Sequence, residues 1–323
     1  MSTSPDTEAT SDTSEGIPNI VVAYYAVNAV LVAVCVPAHL RVCYVFFLHK
    51  TTFDNPFYKL AISHSLFDCL FLAVQFVVPF LKVWPIQRQH SQFYWWSLAH
   101  AVTAWIAALH FTGISVNRFV SLLLMQHYES CFSRKFVGLI IGTCMLFGVS
   151  NVSVMVAAGC TWEQPNSMAF QWDCHRNPGL GAWALGYLQI AVLVVFSAVT
   201  FMYIFILIKL KRLTTNSTSA KKERSIGIQF SIICLTYFVY TGSFFVVSML
   251  AKGGSISQIA GEFTMGISGV ISSGIHPYIY IIFSSDVRCR IFGTPLASPE
   301  TNLATSQAAN RVFTSRNAES KRF

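Results

Sequence analysis

Long apolar runs separated by short polar stretches dominate this chain. They fall near Asn19–Leu48, Pro56–Leu81, Phe93–Leu124, Phe136–Gly159, Leu180–Ile208, Ser225–Leu250 and Ile259–Phe283. At 1.5 Å per helical residue, each of the seven can cross roughly 30 Å of hydrocarbon. A backbone in lipid must satisfy its own hydrogen bonds, so the pattern predicts an all-α integral membrane bundle of seven transmembrane helices. The third run, about 48 Å long as a helix, must tilt or project beyond the bilayer.

Composition secures the membrane class. Of the 323 residues, 54% are hydrophobic and 11% charged, where soluble domains carry about 25% charged residues. A soluble enzyme or binding domain is thereby excluded. The net charge of +8 does not indicate a nucleic-acid partner, because the basic residues gather in short loops between apolar runs. Nine cysteines are scattered without a CxxC pair, and those inside apolar runs read as small buried hydrophobes.

Charge also sets the orientation. With the N-terminus outside, 18 lysines and arginines face the cytoplasm, against four outside: Lys82, Arg88, Arg176 and Lys252. That asymmetry predicts N-out, C-in topology. Residues 1–17 form an acidic tail, expected to be disordered and extracellular. The tail lacks the features of a signal peptide, so the first run is expected to act as an uncleaved anchor. Residues 18–292 form the helical domain, ending in a short amphipathic helix over Ser285–Phe292. Residues 293–323 are expected to be a disordered, Ser/Thr-rich cytoplasmic tail.

A few polar groups stand within the apolar runs, where an ionisable residue is functional by default. Arg118, the one charged residue between Phe93 and Met125, closes the third run in Asn117-Arg118-Phe119. As an arginine at the inner mouth of a bundle, it can exchange partners when helices separate. Asp68 is the one acid of the second run. His276-Pro277-Tyr278-Ile279-Tyr280 puts a helix-breaking proline near the inner end of the seventh, and the carbonyl that Pro277 frees needs a partner. Asp68, His276 and the serines and glycines of Gly266–Gly274 together predict a polar, hydrated seam.

These motifs resemble those of G-protein-coupled receptors. In the rhodopsin-like class they read Asp/Glu-Arg-Tyr and Asn-Pro-x-x-Tyr, with an aspartate in the second helix. The details look more like the nematode serpentine chemoreceptors of the gamma/v superfamily, which share Asp54-Asn-Pro-Phe-Tyr58, Pro37 within the first helix, and Asn-Arg-Phe. The resemblance covers roughly residues 18–292. It implies a chemosensory receptor that binds a small extracellular ligand and activates a heterotrimeric G protein, in the cell membrane and, within the family, in sensory cilia. Asn117, Arg118, Asp68, His276, Pro277 and Tyr280 would form its switch.

The departures from that pattern carry information. Asn117 stands where an acid would pair with Arg118, and Cys234-Leu-Thr-Tyr237 where Cys-Trp-x-Pro would sit. No lysine in the seventh run allows a retinal Schiff base, and no cofactor is expected. The usual receptor disulfide needs a cysteine atop the third helix, where Gln92-Phe-Tyr-Trp-Trp96 has none. The expectation is therefore a bridge within one loop, Cys160 to Cys174, and the alternative is two separate thiols.

His100 lies five helical turns before Arg118, about 27 Å toward the other end. With Trp96, Ala104 and Trp105 on or beside its stripe, and Phe244, Phe245 and Glu262 at comparable depth, it marks a candidate ligand pocket. The loop from Lys209 to Arg224 is basic (Lys211, Arg212, Lys221, Lys222, Arg224), suiting lipid headgroups and a G protein together. Cys289 is placed for palmitoylation. The rival readings are a seven-span channel or transporter and, more remotely, an intramembrane zinc hydrolase built on histidines such as His64, His100, His110 and His276. With no HxxxH pair, the histidines read instead as interhelical hydrogen-bond partners, and neither a metal nor enzymatic activity is expected.

Overall fold

In lipid, backbone groups cannot turn to water, so almost every described stretch of this chain is helical. The computed structural model describes residues 19–49, 52–83, 90–163, 171–174, 177–212, 218–252 and 258–293. The acidic N-terminal tail, the C-terminal tail and the middle of the basic loop lie outside the described residues.

The helices are α1 (Asn19–Leu48), α2 (Pro56–Val83), α3 (His90–Leu123), a short α4 (Tyr128–Cys131) and α5 (Arg134–Ala157). They continue with α6 (Pro178–Arg212), α7 (Thr218–Lys252), α8 (Gln258–Gly274), α9 (His276–Phe283) and α10 (Ser285–Phe292). Among the described residues, six segments are long and apolar enough to cross a membrane: one each on α1, α2, α3, α5 and α6, and the α8–α9 pair over Ile259–Phe283. The sixth apolar run lies within α7, which opens on Lys221-Lys222-Glu223-Arg224 and is not among those six. α6 and α7 both run further into the basic loop than the apolar pattern suggested, ending at Arg212 and restarting at Thr218.

Packing closes the helices into a ring. α1 touches α2 and α8, α7 touches α6 and α8, and α3 sits between α2, α5 and α6. Close approach requires small residues, as at Gly148 of α5, where a Cβ would stand 3.2 Å from the Ile106 backbone nitrogen of α3. The outer face is apolar, with Val30, Leu146, Trp183, Phe201 and Leu235 all more than half exposed. Such a surface suits lipid and not water. Hydroxyls inside the helices turn back on their own carbonyls, as Thr112 does on Ala108 and Ser115 on Phe111, which satisfies these donors within their own helix.

Among the described residues, one element is not helical. Thr161–Glu163 and Gln171–Asp173 form an antiparallel hairpin, β1 and β2, in which Trp162 pairs with Trp172. A Cys160–Cys174 disulfide closes its base. The hairpin marks one end of the bundle and α10 the other. The main core cluster, including Phe46, Phe57, Leu60, Ile114, Tyr237 and Tyr280, fills the α10 half. The hairpin half is more loosely filled, and a cavity lies there.

Candidate functional site

Pro277 organises the centre of the bundle. Lacking an N–H, it cannot bond the Ser273 carbonyl, and the seventh segment breaks at Ile275 into α8 and α9. The freed carbonyl finds its partner on another helix: Nε2 of buried His39, in α1, donates to Ser273 O at 2.9 Å. The sequence showed that a partner was needed. It gave no sign of which residue, since His39 lies 234 positions away.

The break also places His276, whose Nδ1 donates to Asp68 Oδ2 at 2.7 Å. His64, one helical turn before Asp68, brings its Nδ1 to 3.4 Å from the same oxygen, and its ring lies 4.6 Å from that of His276. All three side chains are buried. Their potential ligand atoms lie within 4.8 Å of one another. Sequence spacing placed His64 and Asp68 on one helical face, and only the bundle adds His276. His110 stays apart, accepting from the Ser63 hydroxyl at 2.8 Å and donating to Ile106 O.

Among the described residues, no carboxylate stands opposite Arg118. Its guanidinium lies over the Phe57 ring, 3.3 Å from the centroid, with Tyr58, Tyr128 and Tyr280 in electrostatic range. Asn117, fully buried, donates from Nδ2 to the Tyr128 hydroxyl at 3.2 Å. Phe57 in contact, with the three tyrosines nearby, thus forms an aromatic cage where an acid would otherwise stand.

That cage assigns a task to each residue of Asp54-Asn-Pro-Phe-Tyr58. Asp54 bridges Lys59 at 2.7 Å and Arg134 of α5. The Asn55 side chain accepts from Tyr58 N at 3.2 Å and caps α2. Pro56 takes the first helical position, where a missing N–H costs nothing. Phe57 lies under Arg118, and Tyr58 packs on Phe46 and Phe53. Sequence reasoning missed Phe57, although the motif that contains it was plain.

Toward the hairpin lies a cavity of about 230 Å³, lined mainly by apolar groups of α3, α6, α7 and α8, with Trp172 of β2. His100, Ala104 and Trp105 line it. Trp96 and Glu262, expected there, do not: Trp96 is 39% exposed on the outside of α3, and Glu262 is buried in α8 away from the lining. Helical spacing fixes a direction on its own helix, not the neighbour that stands opposite. The side chains of Phe244 and Phe245 lie outside the described residues. The cavity floor is a stacked pair, Phe111 on Tyr237 at 4.1 Å, and Tyr237 also stacks on His276 at 5.9 Å.

At the α10 end, Arg290 bonds His49 Nδ1 at 2.8 Å and Thr52 Oγ1 at 2.9 Å, holding α10 against the loop after α1. Cys289 is half-buried in α10 and unpaired. Lys211 is exposed at the end of α6. The side chains of Arg212, Lys221, Lys222 and Arg224 lie outside the described residues.

The described residues thus define a helical bundle of membrane-spanning type, with a small cavity toward one end, an aromatic floor beneath it and a caged arginine toward the other. Residues 29–294, more than half of the chain, match the family model described as Serpentine type 7TM GPCR chemoreceptor Srv, and the chain belongs to that family. The family is not one of enzymes. Compared with curated proteins, the chain has no match.

Proposed function

We propose that this chain is a chemosensory receptor of the cell membrane, with seven spans including α7 and with N-out, C-in topology. It binds a small extracellular ligand in the cavity and activates a heterotrimeric G protein at the α10 end. The observation that carries this reading is the shared residue Tyr237, which lines the cavity on one side and stacks on His276 on the other. The cavity is smaller than the roughly 300–1,000 Å³ of drug-sized sites and mainly apolar. Its occupant is accordingly small and largely apolar, oriented by one or two of the polar groups His100, Gln75, Thr112 and Gln189.

A ligand that fits better when Tyr237 is displaced shifts the population toward that state. Displacement uncovers the His276–Asp68 contact and lets α9 move against α2. Tyr280, on α9, then leaves the cage around Arg118, freeing the guanidinium to meet the last helix of a G-protein α subunit. The basic loop supplies the surrounding charge, and Cys289 is an acylation site that would tie α10 to the membrane. Within the family resemblance, the ciliary membrane of sensory neurons is the expected location.

The test is nucleotide exchange on purified G protein by the receptor in lipid nanodiscs, with and without a panel of small apolar ligands. Ligand-stimulated exchange that His100→Ala shifts in potency, with surface expression intact, is the expected result. Ligand-gated current without G protein would overturn the reading in favour of a channel.

A further inference from the structure

The cluster of His64, Asp68 and His276 lies beneath the cavity floor and has more donor capacity than the protein uses. Both ring nitrogens of His64, Oδ1 of Asp68 and Nε2 of His276 are buried without a hydrogen-bond partner. Buried polar atoms are nearly always satisfied, so four on three touching side chains call for an occupant. We propose that this cluster binds a borderline divalent transition-metal ion, zinc being the type case, and that the ion clamps α2 to α9.

Donor chemistry selects the class of ion. Two imidazoles and one carboxylate suit zinc, copper or nickel, whereas calcium and magnesium take oxygen ligands throughout. With bonds of about 2.0–2.2 Å, adjacent donors on a tetrahedral zinc stand roughly 3.3 Å apart. The 3.4 Å between His64 Nδ1 and Asp68 Oδ2 already fits. The 2.7 Å between His276 Nδ1 and Asp68 Oδ2 must open by about 0.6 Å on the same bond-length argument, or Asp68 turns its unpartnered Oδ1 toward the ion. His276 now donates from Nδ1. Ligation through that nitrogen moves the proton to Nε2, leaving the imidazole neutral with no net proton change. A water completes the fourth position.

Charge argues the same way. Asp68 is fully buried beside His39, His64 and His276, with the Ser273 hydroxyl also in hydrogen-bonding reach, and a buried carboxylate is costly unless its charge is compensated. A divalent ion compensates it, and it does so across the break between α8 and α9. His64 and Asp68 belong to α2, while His276 is the first residue of α9. The bound ion therefore opposes any separation of these two helices.

The full-length chain, purified in nanodiscs and stripped with a chelator, would be titrated with zinc chloride against a fluorescent zinc chelator. One zinc per chain and a rise of the melting temperature by a few degrees are expected. His64→Asn, Asp68→Asn and His276→Asn should each weaken binding at least about 100-fold, the upper range for losing even an outer-sphere partner. His110→Asn, a nearby buried histidine outside the cluster, should leave it unchanged. Absent binding, equal binding by the three cluster variants, or stabilisation by sodium chloride but not by zinc would each overturn the proposal. If an Asn variant does not fold, the wild-type chain loaded with cobalt carries the test. Visible bands of a low-coordinate imidazole–carboxylate site support the proposal, and a spectrum of hydrated cobalt overturns it. None of these readouts depends on ligand response, so their failure is distinct from failure of the receptor reading.

Discussion

At the scale of single residues, Arg118 is the group whose surroundings the structure clarifies most. An intramembrane cation is tolerable only with compensation, and among the described residues the Phe57 ring supplies it with a π face 3.3 Å from the guanidinium. Cation–π contacts contribute up to about 2 kcal/mol where water is excluded. Phe57→Leu keeps a buried apolar side chain but removes the π face. Basal, ligand-independent nucleotide exchange should therefore rise roughly 5–30-fold, the population change for 1–2 kcal/mol. Unchanged basal exchange in a well-folded Phe57→Leu receptor would mean that the cage does not restrain the arginine.

At the scale of elements, two joints differ in character. The break between α8 and α9 is buried and is stapled by His39 to the carbonyl that Pro277 frees. His39→Leu removes that donor and should lower thermal stability in detergent by about 1 kcal/mol, since hydrogen bonds within membranes contribute about 0.6 kcal/mol on average. His39→Gln keeps an N–H donor and should recover part of the loss. The joint between the α1–α2 loop and α5 is exposed instead. There the Lys59 hydrogen bond, helped by the charge of Arg134, holds the Asp54 carboxyl below its usual value. A depressed folded-state pKa gives a contribution that is present at neutral pH and lost as the pH falls through that value. Asp54→Asn should thus lower the melting temperature slightly at pH 7 and not at all in strong acid. High salt should erase the difference at pH 7, because exposed pairs are screened.

At the scale of the whole molecule, stacked rings connect the cavity to the centre. Tyr237 reaches from the cavity floor to His276, and His276 reaches Asp68. Such a chain couples two sites only if the bundle has two arrangements, and the proposed rearrangement would turn on the break at Ile275. Orientation is a property at this scale too. An epitope at the N-terminus should label on intact cells, and one at the C-terminus only after permeabilisation. The opposite pattern would put the cavity on the cytoplasmic side and reverse the direction of signalling.

The helical membrane class was legible in the sequence, because apolar length and charge placement act residue by residue and need no partner. Arg118, Asp68 and Pro277 were equally legible as anomalies, since each is costly in lipid wherever it sits. Their partners were not. Phe57 beneath Arg118, His39 on the Ser273 carbonyl and His276 beside Asp68 are meetings of distant segments, decided by which helices lie side by side. Trp96 shows the same limit from the other side, sharing the stripe of His100 yet facing outward. Local chemistry sets what a residue needs, and tertiary packing decides which neighbour supplies it.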